Sequence, residues 1–225
     1  MAMDILVLDK ISKSFSDGEG RVRTVLDKVS LTLHDGEFVA ITGPSGSGKT
    51  TLLKIAGSLL EPDSGKCIID GVNVSSCGDL ASLRNRKIGF VFQDHRLLPQ
   101  LTLLQNVLLP ALAGNETVPK ETEDYAISLL EYAGIKDLAG KYPATISGGE
   151  AGRTALCRAL IMKPRLILAD EPTGQLDREN SLKIATLLKK VSRDFGTSVV
   201  MVTHSDEVAE IADRILPLQG LNSAE

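Results

Sequence analysis

The sequence has no tryptophan, 4% aromatic residues and three cysteines in 225 residues. Cys67, Cys77 and Cys157 are an odd number without the paired spacing of a zinc site, so reduced, partly buried thiols are expected instead of a disulfide framework or metal centre. Charge of one sign is also missing. With 25 basic and 29 acidic residues the net charge is -4, which provides no general field for nucleic acid or an anionic bilayer, so an anionic ligand must be held locally. The first ten residues contain Asp4 and Asp9 and lack a basic segment followed by an apolar core. No secretory signal is expected, and the cytosol is the expected compartment. The uncharged stretch from Leu97 to Asn115 is broken by Pro99, Gln100, Gln105, Asn106 and Pro110, which bilayer insertion would leave stranded. No internal repeat or low-complexity tract is present.

What is present is the balance of a globular protein, 43% apolar and 24% charged, in a chain long enough to bury a core. Ile5 to Leu8 and Val29 to Leu33 read as short β segments, with a polar loop or hairpin from Ser16 to Arg23. Phe38 to Thr42 is an apolar run of strand length ending at Gly43, and helical spacing begins at Thr51. Leu166 to Ala169 and Ser198 to Val202 flank a helical segment near Ser181 to Arg193, the alternation of parallel strands joined by crossover helices. Between Asp94 and Ala144, leucines and alanines at helical spacing (Ala126, Leu129, Leu130, Ala133) predict a mostly helical insertion. The basic cluster Arg84, Arg86, Lys87 is expected in a solvated turn.

Three segments carry chemistry. Gly43-Pro44-Ser45-Gly46-Ser47-Gly48-Lys49-Thr50 has the phosphate-loop spacing G-x-x-x-x-G-K-[ST] between a strand and a helix. Its glycines let the backbone wrap a polyphosphate, Lys49 adds charge to the helix N-terminus, and Thr50 offers a hydroxyl to Mg²⁺. Leu166 to Ala169 delivers Asp170 and Glu171 at a strand's carboxyl end, where open α/β sheets bind ligands. Asp170 is suited to hold Mg²⁺ through its water shell, and Glu171 to orient or deprotonate the water that attacks the terminal phosphate. Ser147-Gly148-Gly149-Glu150 begins a third signal, a hydroxyl and flexible amides at a helix N-terminus and thus a second anion site.

With that third segment, the sequence closely resembles the ATP-binding subunits of ABC transporters, over nearly the whole chain and with the motifs in the family's order. The resemblance implies a head-to-tail homodimer, or a heterodimer with a related ATPase, in which Ser147 to Glu150 of one subunit face ATP on the other subunit's phosphate loop. ATP binding is assigned to Phe15, Gly43, Pro44, Ser45, Gly46, Ser47, Gly48, Lys49, Thr50 and Thr51, with Phe15 against adenine. A plain core phenylalanine is the alternative for Phe15. Gln93 matches the glutamine loop that touches Mg²⁺ and water and hinges the helical insertion, Asp177 the loop reaching across the dimer, and His204 the switch histidine. His34 and His95 receive no catalytic role. Phe90 to Pro99, Leu103 to Val107 and Ala169 to Gly174 are most similar to the branch of bacterial lipoprotein-release and macrolide-efflux ATPases. The chain departs from the family at Ile146, at Ala151-Gly152-Arg153 and at Gln175. Gly152 in a helix's first turn is expected to loosen the segment that presents Ser147, at about 1 kcal/mol relative to alanine.

The expected fold is an α/β P-loop ATPase of RecA-like core with an N-terminal antiparallel β portion. It forms one domain over residues 1-225, with 1-93 and 160-225 as the β portion and core and about 94-159 as a helical signature subdomain. The expected activity is Mg²⁺-dependent hydrolysis of ATP driving a separate integral membrane permease from the cytoplasmic face, with no nucleic-acid partner. The leucines and prolines from Leu97 to Leu112 either line the docking groove or form the insertion's own core. A non-transport ABC ATPase regulating a membrane complex, as in cell division, is the alternative function. A soluble P-loop kinase has no use for Ser147 to Glu150.

Overall fold

The computed structural model describes residues 4-16, 18, 20-113 and 117-221. Strands β1 (Asp4–Ser16) and β2 (Val22–His34) form one long antiparallel pair with several bulges, so both β segments extend well beyond the stretches expected. With β4 (Ser64–Ile69) and β5 (Val72–Asn73) they make an antiparallel sheet in the order β2-β1-β4-β5. The second sheet is parallel, with β3 (Phe38–Thr42), β6 (Ile88–Phe92), β7 (Leu166–Asp170), β8 (Ser198–Val202) and β9 (Arg214–Pro217) in the order β6-β7-β8-β3-β9.

The central strands are continuous apolar runs because both their faces are covered. Alternate residues enter two cores. Phe38, Ala40, Ile167, Ala169, Val199 and Met201 pack on the helices of one side, where Val107, Leu129, Leu156 and Ile184 meet them. Val39, Ile41, Leu166, Leu168, Val200 and Val202 face α1 (Lys49–Ala56) and the antiparallel sheet, against Leu52, Ile55, Leu8 and Ile69.

The helical segment comprises α3 (Leu103–Leu112), α4 (Lys120–Tyr132) and α5 (Gly148–Leu160). α3 starts at a Thr102–Gln105 capping box and α5 at the equivalent Ser147–Glu150 pair, each satisfying orphan amides of a first turn. Buried Asn106 ties α3 to the preceding loop: its Nδ2 donates to the carbonyls of Leu98, Leu101 and Thr102, and its Oδ1 accepts from Leu98 N at 2.7 Å. Leu103, Val107, Leu108 and Ala111 are buried, Val107 and Leu108 in the core shared with the parallel sheet, whereas Leu98 and Leu112 are exposed.

The basic cluster differs from expectation. It forms the last turn of α2 (Leu80–Lys87), capped by Asp79, where positive charge suits the helix dipole. Arg84 donates to Ser58 O and Lys87 pairs with Asp70 at 2.6 Å, so two of its three side chains are tied to neighbouring structure. α6 runs Arg178–Phe195, beyond the expected bounds at both ends, and α7 is the short Asp206–Ala209. The three cysteines are free thiols, Cys67 and Cys157 buried and Cys77 partly so. Among the described residues no helix is long and apolar enough to cross a membrane.

Candidate functional site

The phosphate loop joins β3 to α1, and its geometry depends on the neighbouring hairpin. Gly48, the N-cap of α1, has φ 102°, and a Cβ there would lie 2.9 Å from both Val25 Cγ1 and Val25 O. Only glycine permits that approach. The loop thereby forms, with Phe15, Arg23, Val25, Gln93 and Glu171, a cavity of about 620 Å³ in which Ser45, Gly46, Gly48, Lys49, Thr50 and Thr51 make the floor. Phe15 is 43% exposed at its wall, which excludes the core-phenylalanine alternative.

Lys49 is almost fully buried and donates to the Gly43 and Pro44 carbonyls at 2.8 and 2.9 Å. Ser47 Oγ is buried without a partner, and a Cβ on Gly43 would come within 3.1 Å of it. An orphan hydroxyl and a lysine folded onto loop carbonyls are polar groups suited to a polyphosphate, since a buried donor left unpaired is costly.

Strand register assembles the acidic side. Phe92 pairs with Asp170, and Asp170 with Val202, so Gln93, Glu171 and the Thr203-His204 segment leave three adjacent strands at one level. Thr50 Oγ1 donates to Asp170 Oδ1 at 2.9 Å. Burial pushes the Asp170 carboxyl upward, the Thr50 hydrogen bond opposes this, and the Glu171 charge adds to it. Glu171 stands in the left-handed region at φ 44°, its amide bonded to Val202 O. Its Oε2 is 3.0 Å from His204 Nδ1 and its Oε1 is 3.9 Å from Lys49 Nζ. The Gln93 amide lies over Gly174, where a Cβ would fall 2.9 Å from Nε2. Thr50, Asp170 and Gln93 are an all-oxygen set of hydroxyl, carboxylate and amide, fitting Mg²⁺ better than a thiophilic metal.

Ser147, Gly148, Gly149 and Glu150 line none of this cavity. Ser147 Oγ donates to Glu150 Oε2 at 2.8 Å and its amide donates to the same oxygen at 2.7 Å. These two bonds pull the Glu150 carboxyl below its usual range. The signature turn packs instead on the Asp177 loop: Cβ atoms at Gly148 and Gly149 would meet Leu176 Cδ2 at 3.0 Å and Asn180 Oδ1 at 2.9 Å. Asp177 caps α6, accepting from Asn180 N at 2.9 Å and Asn180 Nδ2 at 2.7 Å.

Gly152 has a packing reason that sequence pattern did not reveal. It is buried, and a Cβ there would meet Ile184 Cδ1 at 3.3 Å and His95 Cε1 at 3.4 Å. The fit leaves little room for a side chain, whatever glycine costs the helix. Arg23, Val25 and Asn180 were also missed, since hairpin and interhelix contacts leave no local motif.

These elements define a P-loop ATPase cassette. The ABC transporter family profile matches residues 26–174, and the chain belongs to that family: it binds ATP and is the ATP-hydrolysing subunit of a transporter. It is 46% identical over 212 residues to the ABC transporter ATP-binding protein YvrO of Bacillus subtilis (strain 168), covering 93% of this chain and 91% of that protein. It is 43% identical over 216 residues to the lipoprotein-releasing system ATP-binding protein LolD of Legionella pneumophila (strain Paris), covering 95% and 94% respectively. Among solved structures, the dimeric bacterial ABC transporter cassette MJ0796 is 40% identical with a TM-score of 0.84, covering 93% of this chain and 92% of that one. The same cassette has been solved bound to ADP and phosphate.

Proposed function

We propose that the chain couples ATP hydrolysis to lipoprotein release, as the ATPase of a homodimer seated on integral membrane subunits at the cytoplasmic face. Glu171 carries the mechanistic reading, because its carboxylate stands between His204 and Lys49 at the edge of the cavity. In this reading Glu171 accepts the proton of the attacking water, and His204 fixes the carboxylate's orientation and contacts the terminal phosphate. Lys49 turns from the Gly43 and Pro44 carbonyls to the β- and γ-phosphates, and Ser47 Oγ gains the partner it lacks. Phe15 stacks on adenine, and Gln93 orients the water. Thr50, Asp170 and Gln93 would hold Mg²⁺, which would neutralise developing phosphate charge. Ser147 and the amides of Gly148, Gly149 and Glu150 meet the ATP of the partner subunit, with Asp177 beside them. That assignment is supported by their position outside their own chain's cavity.

Residues of about 94-159 act as the signature subdomain moving on the remainder of the single domain. A groove of about 440 Å³ between α2, β6 and this segment, lined by Ala81, Phe90, Phe92, Pro110 and Met162 with Arg84 at its side, is the docking surface for the membrane subunit. Release of lipoprotein is favoured over other cargoes by identities of 42–45% to several ATP-binding proteins of lipoprotein-releasing systems. Copurification of the full chain from membranes tests the coupling: an integral subunit retained through Phe92 and Met162, and lost on Met162→Glu, is expected. Retention unchanged by that substitution refutes the groove.

A further inference from the structure

The segment leaving the parallel sheet after Gln93 changes its attachments within two residues. Up to Phe92 it is a sheet strand paired with Asp170. From His95 onward it is fastened to the helical segment as well, while His95 N still donates to Phe92 O at 3.0 Å and Arg96 stacks on the Phe92 ring. Arg158, on α5, donates from Nη2 to His95 O and from Nη1 to Arg96 O, both at 2.6 Å. Both acceptor residues are held at positive φ, 56° for His95 and 47° for Arg96, a conformation that side-chain-bearing residues adopt at a cost. The His95 ring is 7% exposed, its Nδ1 is unpartnered, and it lies against Gly152 one turn along the helix that Ser147 caps. Asn106 fixes the following turn through Leu98.

A two-point clamp on strained backbone is a device for rigidity. Its two hydrogen bonds come from a charged donor and are stronger than neutral ones. We infer that Arg158 is a positioning residue that joins the exit of the Gln93 loop to α5 as one rigid unit, so that a displacement at Gln93 is delivered to Ser147. The inference rests on the cross-subunit role proposed for Ser147. The His95 ring over Gly152 sets the spacing at which the unit is held, which accounts for a residue smaller than any other at this position.

The test uses the full chain in a Glu171→Gln background, where ATP-dependent dimerisation is followed by size-exclusion chromatography and nucleotide affinity by calorimetry. Arg158→Met keeps the aliphatic stem and removes all five donors. It is expected to leave ATP affinity at the chain's own phosphate loop within about twofold while raising the protein concentration needed for dimers about tenfold or more. Arg158→Lys, keeping charge but not the fork, is expected to recover part of the difference and also serves where the methionine variant does not fold. A role in stability alone lowers melting temperature and ATP affinity together and does not separate them. Dimerisation of either folded variant at the parent's concentration overturns the inference while the proposed function stands. If the Glu171→Gln parent itself fails to dimerise with ATP, the Ser147 assignment fails and the inference falls with it.

Discussion

Glu171 Oε2 lies 3.0 Å from His204 Nδ1, on a residue whose backbone is in the left-handed region at φ 44°. A side chain held in that region at the end of β7 is fixed by its surroundings: the Val202 carbonyl takes its amide and Gly174 N donates to its own carbonyl. Glu171→Gln keeps the shape and removes the base of the proposed mechanism. Hydrolysis should fall about 10²- to 10⁴-fold with ATP binding retained, and ATP-bound dimers should accumulate. Turnover at the wild-type rate in a phosphate-release assay removes Glu171 from the role of base.

Gly48 tests whether the hairpin shapes the phosphate loop. A Cβ there falls 2.9 Å from Val25 O and 3.0 Å from Leu26 Cδ2, at a φ of 102°. Gly48→Ala should cost about 2–5 kcal/mol from strain and overpacking and should lower the melting temperature by at least about 5 °C. ATP affinity should drop as well, because relief requires moving either the loop or β2. An unchanged melt together with unchanged affinity contradicts the close approach.

The legible parts of the site are those whose chemistry is local in sequence. Lys49 and Thr50 stand in a spaced glycine pattern, and Asp170 and Glu171 end an apolar run; the sheet then brings Thr50 to Asp170 across 120 positions. The central strands were legible because both of their faces are buried, which leaves an unbroken apolar run. Residues acting through distant contacts were not. Arg158 reads as an ordinary helix arginine until its two carbonyl acceptors are known, and Gly152 reads as a defect until His95 is placed beside it. The Arg84 to Lys87 helix was missed for a different reason: its residues are mostly polar and only Leu83 is buried, so it carries no apolar periodicity to announce it.

The thiols give a test of the core. Burial pushes both Cys67 and Cys157 up to about 12. For an acid with a raised folded pKa, the unfolded chain loses its proton first, above about pH 8.5, so each thiol's contribution to stability is intact below that pH and declines as pH rises toward 12. Urea melts should show a steeper loss between pH 8 and 10 for the wild type than for Cys157→Ala, although the variant starts less stable. Equal slopes would sink the assignment. At pH 8 an alkylating reagent should modify Cys77, the partly exposed thiol, well before the other two.

The signature turn yields the last prediction. Ser147 lies outside its own chain's cavity and caps α5, so Ser147→Arg removes a cap worth about 1 kcal/mol and should lower the melting temperature by only about 2–4 °C. The variant should still bind ATP at its own phosphate loop. It should not form ATP-dependent dimers, because in the proposed dimer an arginine side chain would fill the space that the second nucleotide needs. Lys49→Ala fails differently: it deletes the buried ammonium, weakening ATP binding about 10- to 100-fold. Mixing the two variants allows one composite site with both defects and one with neither, the latter built from the phosphate loop of the Ser147→Arg chain and the signature of the Lys49→Ala chain. Dimers should therefore reappear in the mixture at ATP concentrations where each variant alone stays monomeric. A Ser147→Arg protein that dimerises and hydrolyses ATP like wild type confines the site to a single chain.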